Sequence, residues 1–289
     1  MPALGPALER LYTSFDHPES ALDPIQIVRR YPRVEDREVV AFVAAGLAFG
    51  RVASVMASVE AVCAVMGPSP GTFVRRFDPR RHGAPLRGLV HRWTRGDDIV
   101  ALLWTLRKTI EAHGSLESAF AAGLAADAPH VGDALERFST EARSVDLRPV
   151  YGPRVPASPG VFYFFSRPST GGACKRLNLF LRWMVRHDGV DPGGWRAIPA
   201  SKLVVPLDTH TIRVGRCLRL TKRMSPGWKM AVDITDALRA IDPDDPVRYD
   251  FSLCHLSMMG ACGWHTTRGN AECPLRGFCK PARPPKGES

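Results

Sequence analysis

Residues 35–48 read EDREVVAFVAAGLA, and after the charged first turn the stretch is almost entirely Val, Ala, Phe and Leu. A helix that is apolar on all sides has no face to offer water, so other elements must enclose it. Candidate partners recur along the chain. Leu8, Leu11, Tyr12 and Phe15 mark an N-terminal helix, and residues 52–66 read as another. Ile99, Leu102, Leu103, Leu106 and Ile110 keep helical spacing, as do Leu177, Phe180, Leu181, Met184 and Val185. Residues 226–241 and 246–259 are expected to add two more helices. Strand-like alternation is scarce and no internal repeat is visible, so the chain reads as all-α. Residues 146–172 are rich in Pro and Gly and read mainly as loop, interrupted by Phe162, Tyr163, Phe164 and Phe165. Those rings suit a core or a stacked base.

Two residues stand out for chemistry. GGACKRLNLFLRWMVR places Gly171 and Gly172 ahead of a helix with Lys175 in its first turn. The glycines permit a tight turn and a close approach to another chain. The unpaired N–H groups of the first helical turn suit a phosphate. The positive end of the helix dipole disfavours a protonated amine there, and a neutral amine is a nucleophile. The plainer use of Lys175 is contact with phosphate or solvent. KLVVPLDTHTIRV then brings an apolar run to Asp208, 33 positions after Lys175. Aspartate before an apolar-periodic run is a preferred helix N-cap. A capping carboxylate at a pocket mouth can also stabilise a developing cation or position water.

The chain is basic, with 39 Lys and Arg against 29 Asp and Glu, a formal charge of +10. Polyanions are the first partners to test for such a chain. Arg75, Arg76, Arg80, Arg81, Arg87, Arg92 and Arg95, with His82 and His91, concentrate in residues 73–95. They suit either a solvated face or phosphate contact. The longest apolar run, residues 39–49, is too short to span a bilayer, and no signal peptide is evident. The expected location is therefore cytoplasmic, away from membranes. In that compartment cysteines are reduced, buried or metal-bound rather than paired in disulfides. Cys254, Cys262, Cys273 and Cys279 follow the spacing C-x7-C-x10-C-x5-C, which suggests a metal or iron–sulfur site.

The segment Leu207, Asp208, Thr209, His210, Ile212, Arg213, Val214 resembles the aspartate segment of the helix-hairpin-helix DNA glycosylase superfamily. That superfamily includes endonuclease III and the 8-oxoguanine glycosylases. GGAC before Lys175 is similar to its hairpin glycines and lysine, although the usual form is Gly-x-Gly-x-Lys. The lysine-to-aspartate gap is longer than in endonuclease III and closer to that of archaeal 8-oxoguanine glycosylases. Cys273-Pro-x4-Cys279 resembles the end of the iron–sulfur loop of endonuclease III, C-x6-C-x2-C-x5-C. In that alignment Cys262 falls within one residue of the first ligand, and Asn270 stands at the second. Cys254 or His265 is then needed as the fourth ligand.

The resemblance implies a two-lobed helical fold with a C-terminal cysteine loop. One lobe would be a helical bundle over 35–187 that includes the hairpin. The other would combine 1–34 with 188–289. It implies a monomeric, nucleoid-associated repair enzyme that removes a damaged base, 8-oxoguanine being favoured, from double-stranded DNA. Lys175 and Asp208 would be catalytic, and Gly171, Gly172, Arg176 and Arg213 would contact DNA. Cys254, Cys262, Cys273 and Cys279 would hold a [4Fe–4S] cluster, with zinc as the alternative. Phe49, Gly50 and Arg51 would form the loop lining the base pocket. Two other readings remain open: a monofunctional enzyme in which Asp208 activates water, and a DNA-binding protein without catalysis.

Overall fold

The computed structural model describes residues 4–19, 23–258 and 273–279. The longer helices are α1 (Leu4–Phe15), α2 (Val34–Leu47), α3 (Val52–Met66), α4 (Gly96–His113), α5 (Gly132–Arg143), α6 (Lys175–Val185), α7 (Thr209–Cys217), α8 (Trp228–Arg239) and α9 (Asp250–Met258). Shorter helical turns join them. The only strands among the described residues, Val90–His91 and Thr94–Arg95, form one antiparallel hairpin. The protein is thus all-α, as its periodicities imply. No described helix is long and apolar enough to cross a membrane.

Every residue of α2 from Val39 to Leu47 is buried. Helix α6 packs along it, as do α3 and the turns Ile25–Val28 and Pro70–Arg75. Small side chains make this enclosure possible. A Cβ added at Gly46 would lie 2.7 Å from the Phe164 ring, and one at Gly71 would lie 2.6 Å from the Glu35 carbonyl oxygen. Phe42 carries the centre of the core, with ring centroids of Phe180 at 5.0 Å, Phe165 at 5.5 Å and Phe138 at 6.0 Å. Phe120 stacks on Phe138 at 3.9 Å. Phe164 and Phe165 therefore serve the core, whereas Tyr163 beside them reaches the surface.

Helix α1 packs on α9, and Glu9 accepts hydrogen bonds from Arg248 at 2.9 Å and Tyr249 at 3.3 Å. The buried apolar side chains of α1 and α9 belong to the same continuous cluster as those of α2 and α6.

The basic residues of 73–95 do not share one face. They are distributed over the short helices Pro70–Arg75, Pro79–His82 and Ala84–Arg87 and over the hairpin. Arg75 donates to the Gly114 carbonyl, Arg87 pairs with Asp97, and His91 is buried between Ser58 and the Phe49 carbonyl.

Glu38, like Asp36, is a buried carboxylate on α2. It accepts from the Leu116 N–H at 3.3 Å and the Trp195 indole at 3.2 Å, tying α2 to two distant segments. Burial dominates and pushes its pKa up from 4.5 to about 7, although both donors oppose the shift. The folded state then holds this proton more tightly than the unfolded chain, so stability falls as pH rises from 4.5 through about 7. The effect is on the order of 2–3 kcal/mol. Urea unfolding at pH 5.5 and pH 8 should show this loss in the wild type and a smaller one in Glu38→Gln.

Candidate functional site

Lys175 is the first residue of α6, and Asp208 is the N-cap of α7. Their meeting depends on how the chain returns from the far end of α6. Gly193 N–H donates to the Trp183 carbonyl and Trp195 N–H to the Met184 carbonyl, which folds the segment back onto the helix. Arg37 clamps the same turn through the Pro192 and Gly193 carbonyls at 3.1 and 2.8 Å. Leu203, Val204, Val205 and Leu207 then run buried and without helix towards Asp208. This return spans the roughly 15 Å length of α6 and delivers the carboxylate to the lysine.

The ion pair is 3.5 Å from Lys175 Nζ to Asp208 Oδ2. The other carboxylate oxygen of Asp208 accepts the N–H groups of His210 at 2.9 Å and Thr211 at 2.8 Å. One oxygen therefore caps the helix and the other faces the lysine, so capping and chemistry do not compete for the same atom. Burial raises the pKa of Asp208, but the charge of Lys175 and the Thr211 N–H outweigh it and hold the carboxyl below its ordinary range. The group is a carboxylate at neutral pH.

Both residues line a cavity of about 460 Å³, within the range of small-molecule sites. Phe49, Gly50, His210 and Cys254 also line it. Phe49 and Gly50, expected in a pocket loop, are thus brought to the lysine and aspartate, whereas Arg51 of that loop is exposed and outside the cavity lining.

Beneath the pair lies a charge network that no spacing rule reveals. Arg182 donates to Asp250 at 2.7 Å and to Asp191 at 3.2 Å, and all three side chains are buried. Arg186, the C-cap residue that follows α6, reaches Asp191, Asp188 at 2.6 Å and Asp245 at 2.9 Å. Asp250 also accepts the Thr211 hydroxyl at 3.3 Å. Thr211 therefore links the network to the Asp208 cap. Burial drives the pKa of Asp250 up to about 6, against the pull of Arg182. The one sequence signal was Arg182 and Arg186 set four apart beside the apolar stripe, and nothing in their spacing named the aspartates.

The expected DNA contacts separate. Gly171, with φ of 82°, and Gly172 are exposed at the turn before α6. The Gly171 carbonyl accepts the Trp228 N–H at 3.0 Å, and Gly227 lies close enough that a Cβ there would be 2.6 Å from that oxygen. Buried Asn178 pins the same turn through the Ala173 carbonyl at 3.1 Å. The turn is entered from the 3₁₀ turn Pro168–Thr170 rather than directly from an α-helix. Arg213 is exposed on α7. Arg176 does not point to solvent as a phosphate ligand. Its guanidinium lies 3.2 Å from the centre of the Tyr163 ring, and burial lowers its pKa to about 10.

The cysteines also separate. Cys254 Sγ lies 3.5 Å from Asp208 Oδ2 and 3.8 Å from Met258 Sδ, so its thiol is directed into the pocket. Burial, Asp208 and Asp250 push its pKa well up. The Cys254 thiol is thus engaged at the pocket with Asp208 and Met258. Cys273 and Cys279 flank a turn and are partly buried against the core. Cys262 and His265 lie outside the described residues. Among the described residues no three Cys, His, Asp or Glu side chains converge as metal ligands.

A family model described as "Protein of unknown function (DUF2400)" matches residues 23–259. The chain belongs to the DUF2400 family. The matched region contains Lys175, Asp208, Cys254 and the Arg–Asp network and stops before Cys262. No curated protein and no solved structure matches the chain.

Replacing Asp208 by Ala removes the α7 cap and should cost about 1 kcal/mol in urea unfolding. Asp208→Asn keeps a capping oxygen and should stay much closer to the wild type. A larger loss in Asn than in Ala would contradict the division of labour between the two oxygens.

Proposed function

We propose that this DUF2400 protein is a DNA glycosylase with associated lyase activity, acting through Lys175 and Asp208. The observation that carries this reading is the 3.5 Å pairing of a helix-start lysine with a helix-capping carboxylate inside a cavity of about 460 Å³. The family description itself assigns no activity. Net charge of +10 supports a polyanionic partner, and at the exposed turn the Gly172 N–H can meet a phosphate, the Gly171 N–H being taken by the Pro168 carbonyl. The finer architecture in this reading is a two-lobed glycosylase-like fold, with residues 35–187 as one lobe.

A base inside duplex DNA must be extruded before it can be attacked, and a damaged base costs least to extrude. Lys175 is paired with Asp208 as the ammonium, so it would first lose a proton to water, and the resulting amine would attack the anomeric carbon while the base leaves with the electrons of the glycosidic bond. Loss of the amine proton and opening of the sugar give a Schiff base, which permits β-elimination of the 3′ phosphate. Asp208, held ionised, would stabilise positive charge developing on the sugar. Asp250, Thr211 and Arg182 would keep Asp208 in place. The favoured substrate remains 8-oxoguanine, on the resemblance of the Asp208 segment and its distance from Lys175. In the monofunctional alternative Asp208 activates water and Lys175 only holds phosphate.

A [4Fe–4S] cluster remains part of the proposal, with Cys262, Cys273 and Cys279 as holders and His265 as the fourth candidate. Such a cluster would brace the C-terminal loop by ligation and supply a redox centre. Cys254→Ala should then keep the full iron and sulfide content of anaerobically purified protein, whereas Cys273→Ala should lose most of it.

Borohydride added to protein and duplexes carrying 8-oxoguanine, an oxidised pyrimidine, uracil or an abasic site tests the chemistry. A covalent adduct is expected with the wild type and not with Lys175→Gln, and Asp208→Asn should lower base release by at least about 100-fold. Base release without an adduct, abolished in Asp208→Asn, would select the monofunctional alternative. Salt-sensitive DNA binding without release on any duplex would select a binding protein.

A further inference from the structure

The hairpin Val90–Arg95 turns through Arg92 and Trp93, and Trp93 is 51% exposed at its tip. Of the two turn residues only Arg92 has positive φ, 55°, a conformation usually left to glycine. The indole does not hang free. It stacks on Phe49 with centroids 4.5 Å apart and planes 19° from parallel, and Tyr163 meets it edge-on at 5.4 Å. Phe49 lines the Lys175–Asp208 cavity, so the tip is joined to that cavity through the Phe49 ring, Trp93 itself lying outside the lining.

Two cations belong to the same group of rings. Arg92 lies over Trp93 at 5.3 Å, and Arg176, next to Lys175, lies over Tyr163 at 3.2 Å and Phe49 at 5.6 Å. Neither has a carboxylate partner among the described residues. Their charge is opposed only by ring faces, which are weaker counterparts than an anion. Arg51 and Arg95 are exposed on the adjoining loop and strand.

We propose that Trp93, backed by Phe49 and Tyr163, is a stacking platform for an unpaired nucleobase beside the cavity, with Arg92 next to it for the strand's phosphate. The chemistry follows from the two halves of the ligand. A nucleobase offers a flat π face to the exposed indole, and its backbone offers the anion that Arg92 lacks. A fully paired base shows no free face, so the platform selects locally opened DNA. This rests on the DNA reading above and adds to it the state of the strand that is recognised.

The test is fluorescence anisotropy at one fixed salt concentration with three labelled oligonucleotides: a single strand, a duplex with one unpaired base, and a fully paired duplex. Wild type, Trp93→Phe and Trp93→Ala are compared. The platform requires tighter wild-type binding to the two DNAs with unpaired bases, a loss of about tenfold or more on them in Trp93→Ala, and substantial recovery in Trp93→Phe. Paired-duplex affinity should change little, and that unchanged affinity also reports an intact fold. DNA binding by wild type with no loss on unpaired bases in Trp93→Ala overturns the platform and leaves the DNA reading standing. An equal loss on all three DNAs also overturns it. No binding of any oligonucleotide by the wild type overturns both.

Discussion

The pairing of buried Arg182 with Asp250 and Asp191 is the constraint on which the candidate site depends. Three charges removed from water are costly unless each has its partners, and removing one partner from such a group typically costs about 3–5 kcal/mol. The arrangement is therefore held to one geometry. Asp250 receives Arg182 on one oxygen and the Thr211 hydroxyl on the other. Thr211 in turn donates its N–H to Asp208. Arg182 belongs to the same helix as Lys175, two turns along, so both ends of the chain of contacts are fixed to α6. The lysine–aspartate distance is consequently a property of the helix and its buried charges, not of two flexible surface side chains.

Enclosure of α2 supplies the scaffold for this arrangement. Its apolar surface is covered on several sides, and α6 occupies one of them. Leu177, Phe180, Leu181 and Met184 face that packing, while Arg182 and Arg186 turn to the aspartates and Lys175 and Leu179 to the cavity. One helix thus serves a core, a charge network and a pocket with three sets of side chains. The Ala48–Gly50 segment that leaves α2 lines the same cavity. Core, network and pocket are coupled through this proximity.

The electrostatic character changes across the site. The floor sets two buried arginines, Arg182 and Arg186, against four aspartates, and Asp208 stays ionised because Lys175 and helix N–H groups favour its charge. The rim carries arginines opposed by aromatic faces rather than by carboxylates. Cys254 illustrates how placement governs chemistry. By spacing it groups with the C-terminal cysteines, yet α9 turns its thiol towards Asp208, in surroundings that keep it protonated.

The sequence by itself determined the helical class, the buried character of 35–48, the helix beginning near Lys175 and the capping role of Asp208. Each is a local matter of periodicity, turn residues or cap chemistry, and the helices over 52–66 and 97–112 were legible in the same way. Tertiary structure alone decided what these elements meet. Asp191, Asp245 and Asp250 are ordinary acidic residues in sequence, and their partners Arg182, Arg186 and Arg182, on α6 and at its C-cap, lie 9, 59 and 68 positions away. Arg176 read as a DNA contact from its place beside Lys175 in the resembling segment, but the Tyr163 ring lies against its guanidinium. The Trp93 tip was hidden in a stretch notable for charge, since a two-residue turn leaves little periodic signal. Burial, ring stacking and ion pairing join residues distant in sequence, and only the packed chain makes those distances short.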